Sequence, residues 1–189
     1  MSATTWNSLE LAKLGVALLT PILLFVLGLA VTRGARRVEQ AQWAGRKLIE
    51  RRLELHGQMA PPLNDLLCFF TWVGHFREID PPKAVERKRR LDKVFFTNEQ
   101  LFSDSFRDAY AHYIDTLFDH SGGAGADARL RTSPTRLRAE RGTSSKWDPQ
   151  WNDLFADEGE RKPSHEALAA YRSLMDTFAD ELGVRPTGG

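Results

Sequence analysis

The sequence predicts an all-α protein in which an N-terminal transmembrane helix continues into a long stalk helix, followed by an antiparallel helical bundle. One uncharged apolar stretch is long enough to cross a bilayer. Several later segments repeat apolar residues with helical period, and short turns containing proline or serine separate them. The predicted organisation is a short extracytoplasmic N-terminus at 1–13, a transmembrane helix at 14–32, a helical stalk at 33–60, a cytoplasmic bundle at 61–183 with a loop near 121–146, and a flexible tail at 184–189.

The transmembrane prediction rests on residues 14–32, LGVALLTPILLFVLGLAVT, which contain no charged residue. Leucine, isoleucine, valine and phenylalanine each favour insertion by about 0.3–0.6 kcal/mol at mid-membrane, and this outweighs the cost of Gly15, Pro21 and Gly28. Two alternatives remain open. One is a cleaved signal peptide with small residues at Gly28 and Ala30, and the other is a helix buried in a soluble core.

Basic residues near the span predict its orientation, because lysine and arginine close to a membrane span tend to stay in the cytoplasm. Only Lys13 precedes the span, whereas a cluster of arginines follows it directly, at Arg33, Arg36 and Arg37. We therefore expect a single-pass protein of the inner (cell) membrane with its N-terminus outside, its C-terminus in the cytoplasm and the lipid bilayer as a partner.

The stalk carries a stripe of residues at three- and four-residue steps: Ala41, Gly45, Leu48, Arg52, Leu55 and Met59. Such a stripe packs against a partner helix in a self-associated form, against the protein's own distal domain, or stays solvated. The charge of Arg52 does not suit a dry coiled coil. Self-association through the stalk or the transmembrane helix is therefore one prediction among three.

Four amphipathic helices are predicted in the distal domain. Pro61 and Pro62 predict a break in the stalk and the start of a core helix that runs to about Ile79. Further helices are predicted after Asp80–Pro82, after the cap candidates Ser103 and Asp104, and from Pro163 to a C-cap at Gly183. Their apolar faces predict the bundle core.

Two features between the last two helices are less regular. Residues 121–146 are rich in glycine, serine and arginine and predict a long loop, with room for a short helical turn. Trp147, Trp151 and Phe155 then follow at steps of four, which is more typical of a lid on a core than of a binding site.

The stretch AQWAGRKLIERRLELHGQMAPPLNDLLCFFTWVGHFREIDPP, the upstream anchor and the ADARLRT segment at 126–132 resemble those of a group of uncharacterised bacterial single-pass membrane-anchored helical proteins. The resemblance covers about two-thirds of the chain. It implies the same architecture, and it transfers no catalytic residue.

Composition and motifs give little support to specific chemistry. Two clusters offer contacts to phosphates of lipid or nucleic acid: residues 87–90, and the arginines Arg129, Arg131, Arg136, Arg138 and Arg141. The net charge of +1 and the interspersed acids disfavour nucleic-acid binding. The single cysteine, Cys68, excludes an internal disulfide and predicts a small buried hydrophobe. Neither an HExxH, a phosphate-binding loop, a GxSxG motif nor a cysteine pair is present.

The metal-ligating candidates are His112 and Asp115, which share a helix face with Asp108 and Asp119, together with His75 and Glu78. The alternative reading of the acids is a solvated helix face. We expect no cofactor and no catalytic residue. The leading prediction is a membrane-anchored interaction or scaffold module that docks an unknown cytoplasmic protein or its own copies. The alternatives are a metal-dependent membrane-associated enzyme and an effector or sensor subunit.

Overall fold

The computed structural model describes residues 8–120, 127–142 and 146–184. The chain divides into two compact units, Met1–Lys47 and Leu48–Gly189. Between Ser8 and Ala44, side chains are described only at Phe25, Leu27, Leu29, Gln42 and Trp43. The protein is predominantly helical, which confirms the predicted all-α class.

Helix α1 runs from Ser8 to Thr71, and the first unit is helical from Ser8 onward. Within the described residues, no helix is both long enough and apolar enough to cross a membrane. The predicted span at 14–32 falls largely on residues whose side chains lie outside the described set, as do those of Arg33, Arg36 and Arg37. The predicted tail at 184–189 lies outside the described residues except for Val184.

The predicted helix break at Pro61 and Pro62 is wrong, because α1 passes through both prolines. In a regular α-helix, the backbone N–H groups of residues 61 and 62 would donate to the carbonyls of Gly57 and Gln58. Proline has no N–H, so these two hydrogen bonds are lost. Gly57 and Gln58 are both exposed, so water can satisfy their carbonyls. Packing of the fully buried residues on either side of the prolines then holds the helix together.

The second compact unit begins at Leu48, inside the predicted stalk at 33–60. Leu55 and Met59 are completely buried in its core. Arg52 donates from Nε to the carbonyl of Leu101 at 2.7 Å, and its Nη1 lies 2.7 Å from the carboxylate of Glu181. The stripe from Arg52 to Met59 therefore packs on the protein's own domain, one of the three alternatives, and its arginine joins α1 to that domain.

The core helix ends at Thr71, earlier than the predicted Ile79. Trp72 and Gly74 adopt left-handed backbone conformations with φ of 56° and 62°, and Val73 N–H donates back to the carbonyl of Cys68 at 3.2 Å. A Cβ at position 74 would lie 3.4 Å from the Cys68 sulfur. This turn redirects the chain into a 3₁₀ segment at Phe76–Glu78.

Three further helices complete the bundle: α2 at Pro81–Asn98, α3 at Asp104–Leu117 and, after an intervening segment, the C-terminal helix at Ser164–Glu181. A 3₁₀ segment at Glu99–Leu101 joins α2 to α3. Ser103 caps α3 as predicted, accepting from Phe106 N–H, and Gly183 has a φ of 65° just after the C-terminal helix, which confirms the predicted cap.

Ring contacts give the directions of the packed helices. Phe106, early in α3, lies 4.6 Å from Phe178, late in the C-terminal helix, whereas Tyr113, late in α3, lies 5.8 Å from Tyr171. These two helices are therefore antiparallel. Phe95 of α2 stacks on Tyr110 of α3 with ring centroids 4.0 Å apart, in the middle of the aromatic core.

The predicted loop at 121–146 is wrong in part, because its described portion contains regular structure. A two-residue strand β1, Phe118–Asp119, pairs antiparallel with β2, Arg129–Leu130. A short helix, α4, follows at Pro134–Arg141, and the C-terminal helix is therefore α5. Leu130 and Leu137 are fully buried and attach this segment to the core.

Of the aromatic stripe after the loop, Trp151 lies on a 3₁₀ segment at Pro149–Leu154, and Trp147 and Phe155 lie on either side of it. A second 3₁₀ segment follows at Glu158–Glu160. Phe155 is buried in the core, and Trp147 packs against it with ring centroids 6.0 Å apart. The predicted lid on the core is confirmed for these two residues.

Candidate functional site

Two cavities lie on either side of the segment that leads into α5, and Lys162 lines both of them. The mixed-charge cavity, of about 480 Å³, is lined by His112, Asp115, Thr116, Asp119, His120, Arg131, Lys162 and Glu166. The basic cavity, of about 380 Å³, is lined by Trp72, Thr132, Ser133, Arg136, Arg161, Lys162, Pro163, Ser164 and His165. Both volumes are in the range of small-molecule sites.

The acids of the mixed-charge cavity lie close to basic side chains of the protein. Asp119 is only 3% exposed, and its carboxylate accepts from Arg129 at 3.0 Å and lies 3.5 Å from Arg131 Nη2. Arg131 also donates from Nε to the carbonyl of Phe118 at 3.1 Å. His120 Nδ1 lies 3.5 Å from Asp115. A buried carboxylate with two guanidinium partners is a structural ion-pair cluster that holds the β1–β2 hairpin.

The basic cavity begins at the unusual turn after α1. The left-handed backbone of Trp72 places its indole under the guanidinium of Arg136, whose Cζ lies 4.1 Å from the ring centroid. Because Arg136 is exposed, such a cation–π contact contributes about 0.5–1 kcal/mol. Ser133 caps α4 by accepting from Arg136 N–H. Arg136 is therefore oriented by its own helix and by the end of α1.

The opposite wall of the basic cavity is the start of α5. Lys162 N–H donates to the carbonyl of Arg131 at 3.0 Å, which joins this wall to the segment after β2. Pro163 is the N-cap of α5, and no side chain caps the helix there. The first-turn N–H groups and the positive end of the helix dipole add to the positive potential of the cavity.

Two N–H donors beside the basic cavity are buried without a hydrogen-bond acceptor in the described part of the chain, Trp72 Nε1 and Arg161 Nε. A buried donor without a partner costs about 1–3 kcal/mol. Such groups are uncommon in native proteins, so they mark positions where a hydrogen-bond acceptor is missing.

The structure does not bring the four candidate metal ligands together. His112 and Asp115 line the mixed-charge cavity, which does not include His75 or Glu78. His75 Nε2 instead lies 2.7 Å from Asp65, whose other carboxylate oxygen lies 2.9 Å from Arg87 Nε. Across 8–120, 127–142 and 146–184, no group of three or more histidine, cysteine, aspartate or glutamate side chains is placed to hold a metal. Among the described residues, the structure therefore gives no support to a joint metal site of these four candidates, and the absence of a metal stays a prediction.

The buried cysteine and tyrosines are not activated groups. Burial, with a further contribution from the charge of Asp65, raises the pKa of the Cys68 thiol. Burial likewise raises the pKa of Tyr110, with Asp92 adding to the effect, and that of Tyr113. A raised thiol pKa disfavours the nucleophilic thiolate.

Sequence reasoning did not assign Trp72, Arg161 and Lys162 to a site, and it named Arg136 only as one of several arginines able to contact phosphates. Arg136 was one of several arginines in a predicted loop, and Arg161 and Lys162 precede a helix start with no motif around them. The available signal was the K-P-S sequence at 162–164, which puts positive charge directly before a helix. No protein-family model matches the chain, and no curated protein or solved structure matches it significantly.

Proposed function

We propose that this protein is a single-pass, membrane-anchored helical interaction module whose folded unit, Leu48–Gly189, lies on the cytoplasmic side. The resemblance to membrane-anchored helical proteins supports the same architecture. The uncharged stretch at 14–32 and the arginines after it support the anchor and its orientation.

One structural observation supports the anchor most directly. Phe25 is 67% exposed and Leu27 is 56% exposed on a helix. Residues two apart lie on roughly opposite sides of an α-helix, so this segment presents large apolar side chains in more than one direction. A helix that is apolar all round needs an apolar environment, either a protein core or a bilayer.

The folded unit offers a surface for self-association. Ile49 is 47% exposed and Leu53 is 60% exposed, and their four-residue spacing places them on one face of α1. Leu55 and Met59 are buried on another face. We propose that the Ile49–Leu53 face packs against the same face of a second copy, which gives the module a scaffold role.

Topology is tested with the full-length chain carrying an N-terminal epitope tag and a C-terminal reporter that is active only in the cytoplasm. The expected result is an active reporter, a retained N-terminal tag and resistance to alkaline extraction from membranes. Leu23→Arg combined with Val26→Arg should release the protein from the membrane, whereas Leu23→Ala with Val26→Ala should not. An inactive reporter with a lost N-terminal tag would identify a cleaved signal peptide and overturn the anchor.

Self-association is tested in the same membranes by crosslinking the full-length protein. A discrete dimer band is expected, and Leu53→Glu should remove it because a charge would be buried at the interface. The matched variant Lys93→Glu, on the exposed surface of α2, should leave the band intact. A band that survives Leu53→Glu would contradict this interface but not the anchor.

A further inference from the structure

We propose that the basic cavity binds a phosphate group, carried either by a small soluble molecule or by a lipid headgroup. None of its nine described lining residues is acidic. Arg136, Arg161, Lys162 and His165 contribute cationic or ionisable groups, and Ser133 and Ser164 contribute hydroxyl donors. This donor set has the composition that an anion with several acceptor oxygens requires.

Local acids do not neutralise these cations strongly. Arg161 Nη1 lies 4.0 Å from Glu158, whose side chain is 93% exposed, and Lys162 Nζ lies 3.6 Å from Glu166. Exposed pairs at such distances contribute little and are screened by salt. Arg136 makes no ion pair with any residue in the described ranges, and stacking on Trp72 holds its guanidinium in place.

The geometry of the walls adds specificity for an anion. The uncapped N-terminus of the 18-residue helix α5 lies at the cavity through Pro163, Ser164 and His165. Trp72 and Arg161, which line the cavity, each carry an N–H group that is buried without an acceptor in the described part of the chain. A helix N-terminus combined with guanidinium groups is a recurring arrangement for phosphate.

The proposal is independent of the membrane anchor and of self-association, because every residue in it belongs to the unit Leu48–Gly189. A failed topology experiment would leave it standing, and a failed binding experiment would leave the anchor standing.

The test uses full-length protein in detergent and inorganic phosphate as the probe, titrated calorimetrically at constant ionic strength. We expect saturable binding at about 5 mM phosphate or below. Arg136→Gln with Arg161→Gln should weaken it about tenfold or more, because two charge-assisted contacts are lost. The matched control, Arg138→Gln with Arg172→Gln, changes two exposed arginines outside the cavity and should bind as the native chain does.

A second measurement on the native chain detects a ligand at the wall that contains Lys162, without any substitution. Lys162 is acylated with an amine-reactive reagent and quantified by mass spectrometry, with the exposed Lys83 as the internal control. Phosphate should protect Lys162 several-fold and leave Lys83 unchanged. Phosphate binding that is equally tight in the cavity variant and in the control variant would overturn the proposal.

The source of the phosphate is decided by nanodiscs of phosphatidylcholine with or without phosphatidic acid. Protection of Lys162 by free phosphate in phosphatidylcholine discs would indicate a soluble ligand. Protection only in discs that contain phosphatidic acid would indicate a lipid headgroup. Protection in neither condition would exclude both sources and the site itself.

Discussion

The two cavities that share Lys162 use their charges in opposite ways. In the mixed-charge cavity, Asp119 is buried and its carboxylate lies between Arg129 and Arg131, so those charges support the hairpin. In the basic cavity, Arg136 stacks on Trp72, and the acids nearest Arg161 and Lys162 are loosely placed. The first arrangement stabilises the fold, whereas the second leaves positive charge available to a ligand. Substitutions that remove charge from each cavity should therefore have different consequences.

The largest effect is expected from Asp119→Asn. The substitution preserves shape but removes the negative charge between two guanidinium groups, and breaking a buried ion pair from one side costs about 3 kcal/mol. We expect a lower urea midpoint with an unchanged slope, measured by circular dichroism on the full chain in detergent. Arg136→Gln, from the basic cavity, should cost less than about 1 kcal/mol in the same measurement. Equal losses would mean that the two cavities do not differ as described.

Two of the three arginines of α4, Arg141 and Arg138, offer a second comparison within one helix. Arg141 is buried and donates to the carbonyl of Ile79 at 2.9 Å and to Asp80 at 2.7 Å, joining α4 to the start of α2. Arg141→Gln should cost about 2 kcal/mol, because it leaves Asp80 without this partner and a buried carbonyl without a donor. Arg138→Gln, an exposed control, should change the unfolding free energy by less than about 0.5 kcal/mol. A similar loss in both variants would show that burial of Arg141 does not matter to stability.

The sequence predicted the helical elements and missed the sites for one physical reason. Helices follow from local periodicity and caps, so α2, α3 and α5 begin near predicted signals such as Ser103 and Pro163. The cavities depend instead on distant residues brought together by the turn at Trp72 and by the β1–β2 hairpin. Those contacts have no local pattern, so the sequence offers arginines such as Arg136 as phosphate contacts without assigning them to a cavity.

Pro61 and Pro62 show that tertiary contacts can also override a local signal. Proline is a strong local signal for a helix end, yet α1 continues because tertiary burial of Leu63 and Leu66 outweighs the lost hydrogen bonds. Tyr113 Oη–H also donates to the carbonyl of Leu63 at 2.9 Å, a contact fifty residues away in the chain. A propensity argument contains neither contribution.

A third prediction concerns the hydroxyl of Tyr110, which supports the fold from the core. It donates to Asp92 at 2.9 Å, and burial, with Asp92 adding to the effect, raises its pKa above the ordinary value of about 10. Tyr110 therefore ionises at a higher pH in the folded chain than in the unfolded chain. Its contribution to the free energy of unfolding is fully present below about pH 10 and falls at higher pH, where the tyrosine of the unfolded chain ionises. Tyr110→Phe should cost about 1 kcal/mol at pH 7 and show a shallower decline between about pH 9 and 11.

Urea titrations at several pH values measure this difference, with Tyr171→Phe as the comparison. Tyr171 is only half-buried, although burial also raises its pKa. Its substitution should therefore change the alkaline slope less. Parallel slopes for the native chain and Tyr110→Phe would contradict the assignment of alkaline sensitivity to Tyr110.

The smallest effect is expected from Glu158, an exposed acid beside the basic cavity. Glu158→Gln removes the carboxylate 4.0 Å from Arg161, and because this acid is almost fully solvated, the unfolding free energy should not change measurably. The released positive potential should instead tighten inorganic phosphate binding about twofold at low salt, and the gain should shrink as ionic strength rises. Calorimetric titration at two salt concentrations measures both effects. Unchanged or weaker phosphate binding would mean that Arg161 does not face the ligand, and the contrast between the two cavities would then rest on Arg136 and Lys162 alone.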